Sequence, residues 1–254
     1  MDANIKRFIG DAALRRDEIG ESPCEVHSFQ RGKELYFLKT SPAVYAETTY
    51  SVLREAAVLQ WLSGRINVPE VMLTAQDDQR EYMITRAVPG KPLAALIETK
   101  QPVLDLFTES LRQVQSVSIA NCPFDSTAAV RLRELEFLVS QGLIDEDFDF
   151  DQWPGLHTPQ DLLARLHATM PQEDLVFSHG DLGDSNIFVT DHDELHFIDL
   201  GRGGKADRWL DIAFVHRNLS EEISAASARK FLAQLPFPDA PQKREFFEQL
   251  DELF

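Results

Sequence analysis

The sequence predicts an α+β protein in two lobes, a small antiparallel sheet with one long helix over residues 1–87 and a mainly helical lobe over 88–254. Three observations carry this. Up to residue 86 the apolar residues fall in short runs, 24–30, 34–40, 68–73 and 82–85, bounded by polar turns, with a single helical stripe among them. Ala87-Val88-Pro89-Gly90-Lys91-Pro92 is rich in turn residues and is the best boundary in the chain. Beyond it apolar residues recur mainly at helical spacing, interrupted by one hairpin pattern between 187 and 198.

In chain order, Ile5, Phe8, Ile9 and Leu14 among charges suit a short amphipathic helix within 1–19. After the turn 20–23, the strands 24–30 and 34–40 form a hairpin. Its entry holds one glycine and so is no glycine-rich phosphate cradle, although Ser22 offers a hydroxyl there. The helix that follows has Thr48 as its expected cap and Val52, Ala56, Leu59 and Leu62 as its inward stripe. Glu55 falls on that stripe. A buried acid needs a partner, and Lys39, ending the apolar run 35–38, is the nearest candidate. Beyond the boundary, Leu104, Phe107, Leu111 and Val114 predict one helix and residues 130–141 another. Further helices are expected over 159–169, 209–219 and 223–235, with a last one after Pro236, Pro238 and Pro241.

Twenty-five basic residues against forty-two acidic ones leave a net charge of −17. Such a surface repels nucleic acid and anionic membranes and attracts cations. The apolar runs fall short of the ~20 residues of a membrane span. The first 21 residues lack the apolar centre of a secretory signal. Cys24 and Cys122 have no metal-ligand spacing. A cytoplasmic protein, monomeric or weakly dimeric, is expected. The acids cluster at 145–151, interleaved with Phe148 and Phe150, and again at Asp251-Glu252. Alone that reads as a solvated face; beside a phosphate-handling site it suggests a polycationic substrate.

The chemistry concentrates in residues 177–202. Asp181 stands in a loop before the hairpin, Asn186 lies five residues on, and Asp199 ends the second strand ahead of Leu200-Gly201. A kinase-type phosphoryl transferase needs an acid to receive the acceptor hydroxyl's proton, and an amide and an acid to hold magnesium. Asp181, Asn186 and Asp199 have those types at those separations. A Lys39–Glu55 pair adds the group that holds nucleotide phosphates. A metal phosphoesterase would leave Asn186, Lys39 and Glu55 without roles. His179 reads as a structural hydrogen-bonding residue rather than a base, and Asp207 and Asp211 as acids that cap helices or anchor the loop backbone. Trp61, Trp153 and Trp209 read as packing residues.

The run Ser178-His-Gly-Asp-Leu-Gly-Asp-Ser-Asn-Ile-Phe-Val189, the run Phe197-Ile-Asp-Leu-Gly-Arg202, Ala206-Asp-Arg-Trp-Leu-Asp-Ile-Ala-Phe214 and the end Leu250-Asp-Glu-Leu-Phe254 resemble the aminoglycoside 3'-phosphotransferases, kanamycin kinases, nearly end to end. The His-Gly-Asp…Asn…Asp set alone is shared with other small-molecule kinases, such as those for choline. The resemblance implies a protein-kinase-like fold and ATP-dependent phosphorylation of an aminoglycoside 3'-hydroxyl. In it Asp181 is the catalytic base or orienter, and Asn186 and Asp199 hold Mg2+. Lys39, paired with Glu55, meets the ATP phosphates under the loop of Ser22. Phe37 stacks on adenine, Phe188 and Ile198 line its other face, and Thr85 to Ala87 meet its edge. The substrate side matches Asp149, Asp184, Arg202, Arg217, Asp251, Glu252 and the carboxylate of Phe254, with Asp147 and Asp149 both open for the acidic loop. The arginines are best read as orienting carboxylates. Gln115 departs from the family's usual histidine. A related kinase for another cationic alcohol is the alternative, and a catalytically dead binding protein is disfavoured by the complete set Lys39, Glu55, Asp181, Asn186 and Asp199.

Overall fold

The structure is a computed structural model and describes residues 1–17, 22–144, 148, 150 and 152–254. Its residues group into two compact units, one of Met1–Thr99 with Asp184–Gly203, the other of Lys100–Gly183 with Gly204–Phe254.

The first unit opens with α1 (Ala3–Ile9), whose N-terminus is capped by the Asp2 carboxylate accepting from the Asn4 N–H at 2.7 Å. The helix stops at Gly10, shorter than the amphipathic pattern suggests, and β1 (Arg15–Arg16) instead pairs at the sheet edge with β2 (Glu25–Arg31). β2 turns at Gly32 into β3 (Glu34–Pro42). A short 3-10 turn, Ala43–Tyr45, leads to α2 (Val52–Leu62). Then come β4 (Val71–Gln76) and β5 (Arg80–Arg86), completing an antiparallel sheet in the order β1-β2-β3-β5-β4. One core cluster gathers Ile5 and Ile9 with Phe29, Tyr36, Leu38, Tyr82 and Ile84. α2 buries Val52, Ala56, Leu59 and Leu62, as its stripe predicts, and Val58 besides.

Ser51, not Thr48, caps α2. Its Oγ accepts from the Arg54 N–H at 3.1 Å, while the Thr48 hydroxyl donates to the Tyr45 carbonyl at 2.8 Å. The 3-10 turn preceding the helix takes Thr48 into its own turn and leaves Ser51 at the helix entry.

β6 (Lys91–Pro92) and α3 (Leu93–Glu98) finish the first stretch of the unit. In the second unit follow α4 (Leu104–Gln115), α5 (Ala128–Gln141), α6 (Pro159–Thr169) and β7 (Leu175–Ser178). The chain then returns to the first unit with β8 (Ile187–Val189) and β9 (Leu195–Phe197), the hairpin expected from sequence. Pro92 and Lys91 of β6 pair with Phe188 and Val189. β10 (Gly204–Asp207) pairs antiparallel with β7, and α7 (Trp209–Glu222), α8 (Ala225–Gln234) and α9 (Pro241–Asp251) complete the second unit. α4 and α6 lie where the apolar spacing puts them, α5 starts two residues earlier than expected, at Ala128, α7 runs three residues further, to Glu222, and α8 starts two residues later, at Ala225. No helix among the described residues is long and apolar enough to cross a membrane.

Candidate active site

Strand alternation puts Phe37 and Lys39, two residues apart, on one face of β3. Phe37 stands opposite Thr85 and Lys39 opposite Met83 on β5, and the Ala87 N–H donates to the Leu35 carbonyl at 3.0 Å. The Lys39 ammonium lies 2.8 Å from Glu55 Oε2 and donates to Asp199 Oδ1. Burial alone would lower its pKa, but the Asp199 and Glu55 carboxylates overcome that and hold it well above the ordinary lysine value. Glu55 is only 4% exposed. Burial raises its pKa, Lys39 works against this, and Asp199 adds to it.

Glu55 is aimed by the first turn of α2. Glu81, itself buried, accepts from the Ser51 hydroxyl at 2.7 Å, the Ser41 hydroxyl at 3.2 Å and the Leu53 N–H at 3.4 Å. A carboxylate at a helix N-terminus is favoured by the orphan N–H groups and the dipole there. The neighbouring Arg54 donates to the carbonyls of Gly201 and, at 3.1 Å, Gly203, tying α2 to the turn that follows Asp199. That turn is close-packed: a Cβ on Gly201 would stand 2.7 Å from the Thr49 carbonyl oxygen. Glu81 and Arg54 were not singled out by the sequence. Glu81 lies in an apolar strand beside Tyr82, where a lone acid signals burial; Arg54 lies off the apolar stripe and gives no signal.

Asp199 takes the left-handed conformation, φ 61 and ψ 51, rare for a residue with a side chain. Asn186, mostly buried, accepts at its backbone carbonyl from the Ile198 N–H at 3.0 Å, so the two ends of the hairpin are joined beside both candidate metal ligands. Phe188 on β8 faces His196 across the hairpin. The Asp184 carbonyl accepts from the Ala94 N–H at 3.2 Å. The Arg202 guanidinium stands 5.7 Å from the Tyr50 ring centroid. Ser22 is exposed at the entry to β2, two residues before Cys24, whose thiol burial pushes up to about 11. Lys39 pulls that thiol down, while Glu55 and Asp199 push it further up.

In the second unit, Asp181 sits in the loop after β7, its carbonyl accepting from the Gly183 N–H at 3.0 Å. The loop is pinned by Asp211, a fully buried acid in the first turn of α7. Its two oxygens accept from the His179 and Gly180 N–H groups, each at 2.9 Å. Burial pushes the Asp211 carboxyl up, against His179 and these two hydrogen bonds. Asp207 accepts from the Trp209 N–H at 2.8 Å, the Asp174 N–H at 2.8 Å and the Lys243 ammonium at 2.5 Å. Both acids thus anchor backbone. Arg217 donates to Asp251 at 2.8 Å. Burial would lower its pKa, but Asp251, Glu221 and Asp181 together raise it, so one guanidinium feels both the loop acid and the C-terminal acid. The Trp153 indole N–H reaches Glu252 at 3.4 Å. Gln115 donates to the Arg208 carbonyl at 2.9 Å. Asp149, like Asp147, lies outside the described residues.

A magnesium ion takes hard oxygen donors and keeps water and phosphate oxygens in its shell, so a carboxylate and an amide suffice from the protein. The Asp199 carboxylate and Asn186 amide have that chemistry. Around Lys39, one positive charge faces the two carboxylates of Glu55 and Asp199, a balance that an added cation improves. Among the described residues no cluster of three or more His, Cys, Asp or Glu side chains could hold a metal.

Known proteins with this pattern can now be set beside it. The family profile described as "Phosphotransferase enzyme family" matches residues 24–247. An aminoglycoside 3'-phosphotransferase of Acinetobacter baumannii is 46% identical over 253 residues, 98% of this chain and 97% of that protein. One from Enterococcus faecalis is 34% identical over 259 residues, 100% of this chain and 98% of that protein. A crystal structure of an aminoglycoside-3'-phosphotransferase of type VIII superposes with a TM-score of 0.83 at 28% identity, covering 99% of this chain and 97% of that one.

Proposed function

Since the chain belongs to the phosphotransferase enzyme family, among the aminoglycoside 3'-phosphotransferases, we propose that it transfers the γ-phosphoryl group of ATP to the 3'-hydroxyl of an aminoglycoside antibiotic and so confers resistance. The architecture is the α+β, protein-kinase-like fold of aminoglycoside phosphotransferases. The observation that carries the reading is the Lys39 ammonium shared by Glu55 and Asp199. A lysine held beside a metal-binding acid is what a triphosphate needs: a cation for its phosphate oxygens next to the place where magnesium sits.

In this reading Asp181 accepts or orients the proton of the acceptor hydroxyl. Asn186 and Asp199 would hold Mg2+, which would supply positive charge against the phosphate oxygens. Lys39 moves from Asp199 to the phosphates and is kept in place by Glu55. Phe37, Phe188 and Ile198 enclose the adenine, and backbone groups of Thr85 to Ala87 meet its edge, with Ser22 over the phosphates. Asp184, Asp251, Glu252 and the Phe254 carboxylate answer the ammonium groups of the drug by charge-assisted hydrogen bonds, Arg202 and Arg217 orient them, and Asp149 belongs to the same set. The acidic surface, at −17 overall, favours a cationic substrate over nucleic acid or anionic membrane, in a cytoplasmic enzyme that is monomeric or weakly dimeric.

A coupled assay of ADP release with kanamycin tests this. Turnover is expected with drugs that carry a 3'-hydroxyl and not with those that lack it, and Asp181→Ala should lose nearly all of it while still binding ATP. No turnover above the ATPase background with any such drug would overturn the reading.

A further inference from the structure

α5 buries a cation. Arg131 is 1% exposed and is among the largest fully buried side chains of the protein. It sits four residues before Leu135 and three after Ala128, on the helix's apolar stripe. A guanidinium there costs several kcal/mol unless its surroundings answer it. Two of its contacts fall on distinct parts of the acceptor side of the site. Its Nη1 donates to the Gly180 carbonyl at 3.4 Å, and its Cζ stands 4.6 Å from the centroid of the Phe254 ring, the last residue of the chain.

Gly180 has φ +85, a conformation that side-chain-bearing residues avoid, and it immediately precedes Asp181. Asp211 takes its N–H and Arg131 its carbonyl, so both backbone polar groups of the residue before Asp181 are held. At the other partner, the Phe254 N–H donates to the Asp251 carbonyl at 3.0 Å, Leu253 is buried, and Asp251 is paired with Arg217. Phe254 is partly buried, and its ring lies against the guanidinium.

We propose that Arg131 is a positioning residue of the acceptor site, holding the C-terminal residue in register with the loop that presents Asp181. This rests on the acceptor reading above. The role requires a planar cation that stacks on a ring with its face and donates with its edge; lysine, a point charge on a flexible stem, does only one of these at a time.

The test uses the full-length enzyme with Arg131→Lys, Phe254→Leu, the double variant and Phe254→Tyr. Phe254→Leu keeps the terminal carboxylate and removes only the ring, so it reports on the contact even if Arg131→Lys folds poorly. Each single variant is expected to raise KM for kanamycin about tenfold and lower kcat, with KM for ATP within twofold of the parent. The double variant should be no worse than the poorer single one, and Phe254→Tyr should restore parental values. Hydrogen exchange of the amides in 178–183 is expected to quicken in both single variants. That readout needs no substrate, so it stands or falls separately from the choice of drug. Multiplying effects in the double variant, unchanged KM for kanamycin with only a lowered Tm, or unchanged exchange in 178–183 would each overturn the proposal.

Discussion

Replacing Glu55 by Gln keeps the shape of the side chain and removes its charge. At 2.8 Å, two unit charges in an effective dielectric of about 20 attract by about 6 kcal/mol. That gross figure is opposed by the cost of holding both groups away from water, and Lys39 keeps Asp199 as a partner in the variant. The net loss is then that of one charge-assisted hydrogen bond, about 1.5–3 kcal/mol. Lys39 is left to Asp199 alone, bound to the acid proposed to hold magnesium. The expected result is a fall in kcat/KM for ATP of about 10- to 100-fold, with KM for the acceptor little changed. Steady-state ADP release with ATP varied at saturating acceptor measures it, and melting temperature shows that the variant is folded. A folded Glu55→Gln enzyme with kcat/KM for ATP within twofold of the parent would refute the assignment of Lys39 and Glu55 to the nucleotide.

Further variants probe the surroundings. Arg54→Gln loses the grip on the Gly201 and Gly203 carbonyls; the Mg2+ concentration for half-maximal turnover should rise about fivefold, a loss of ~1 kcal/mol, and an unchanged magnesium titration would count against the linkage. Gly201→Ala forces a Cβ to within 2.7 Å of the Thr49 carbonyl. Overpacking of about 1–3 kcal/mol at about 2–4 °C per kcal/mol predicts a Tm lower by roughly 2–12 °C, readable by scanning fluorimetry. Cys24, raised from 9.0 to about 11, should react with iodoacetamide at pH 8 about 100-fold more slowly than an ordinary thiol, because the thiolate is the nucleophile. Its reaction midpoint should fall in Glu55→Gln and rise in Lys39→Met, since the one charge raises the thiol pKa and the other lowers it. The folded state keeps this proton where the unfolded chain has lost it. Cys24 therefore subtracts stability as pH climbs from about 9 toward 11, and Cys24→Ala should flatten that part of the stability profile.

What the sequence discloses depends on whether the signal is local. A charge on an apolar helical stripe is local, and it identifies Glu55. The same signal stands at position 131 among Ala128, Leu132, Leu135 and Leu138, but two of the groups it meets, Gly180 and Phe254, are 49 and 123 positions away and carry no local cue. The cap of α2 was misplaced by three residues because a hydroxyl alone does not tell whether the preceding turn consumes it. The pairing of Lys91 and Pro92 with Val189 and Phe188 had no sequence cue at all. It places 184–203 in the first compact unit, through contacts almost a hundred residues apart. The anchoring acids Asp207 and Asp211 were legible because short carboxylates beside a loop and a helix start have few other uses.

Asp199 holds a left-handed backbone that glycine or asparagine would adopt at less cost. A redesign for heat resistance, scored on the fold alone, would replace it early and record a gain. On the proposed role of Asp199 as the magnesium acid, the enzyme it produced would be sturdier and inert. Backbone strain kept at a carboxylate thus offers a filter for engineers: sites where the cheapest residue for the chain is not the one present are the sites to leave untouched.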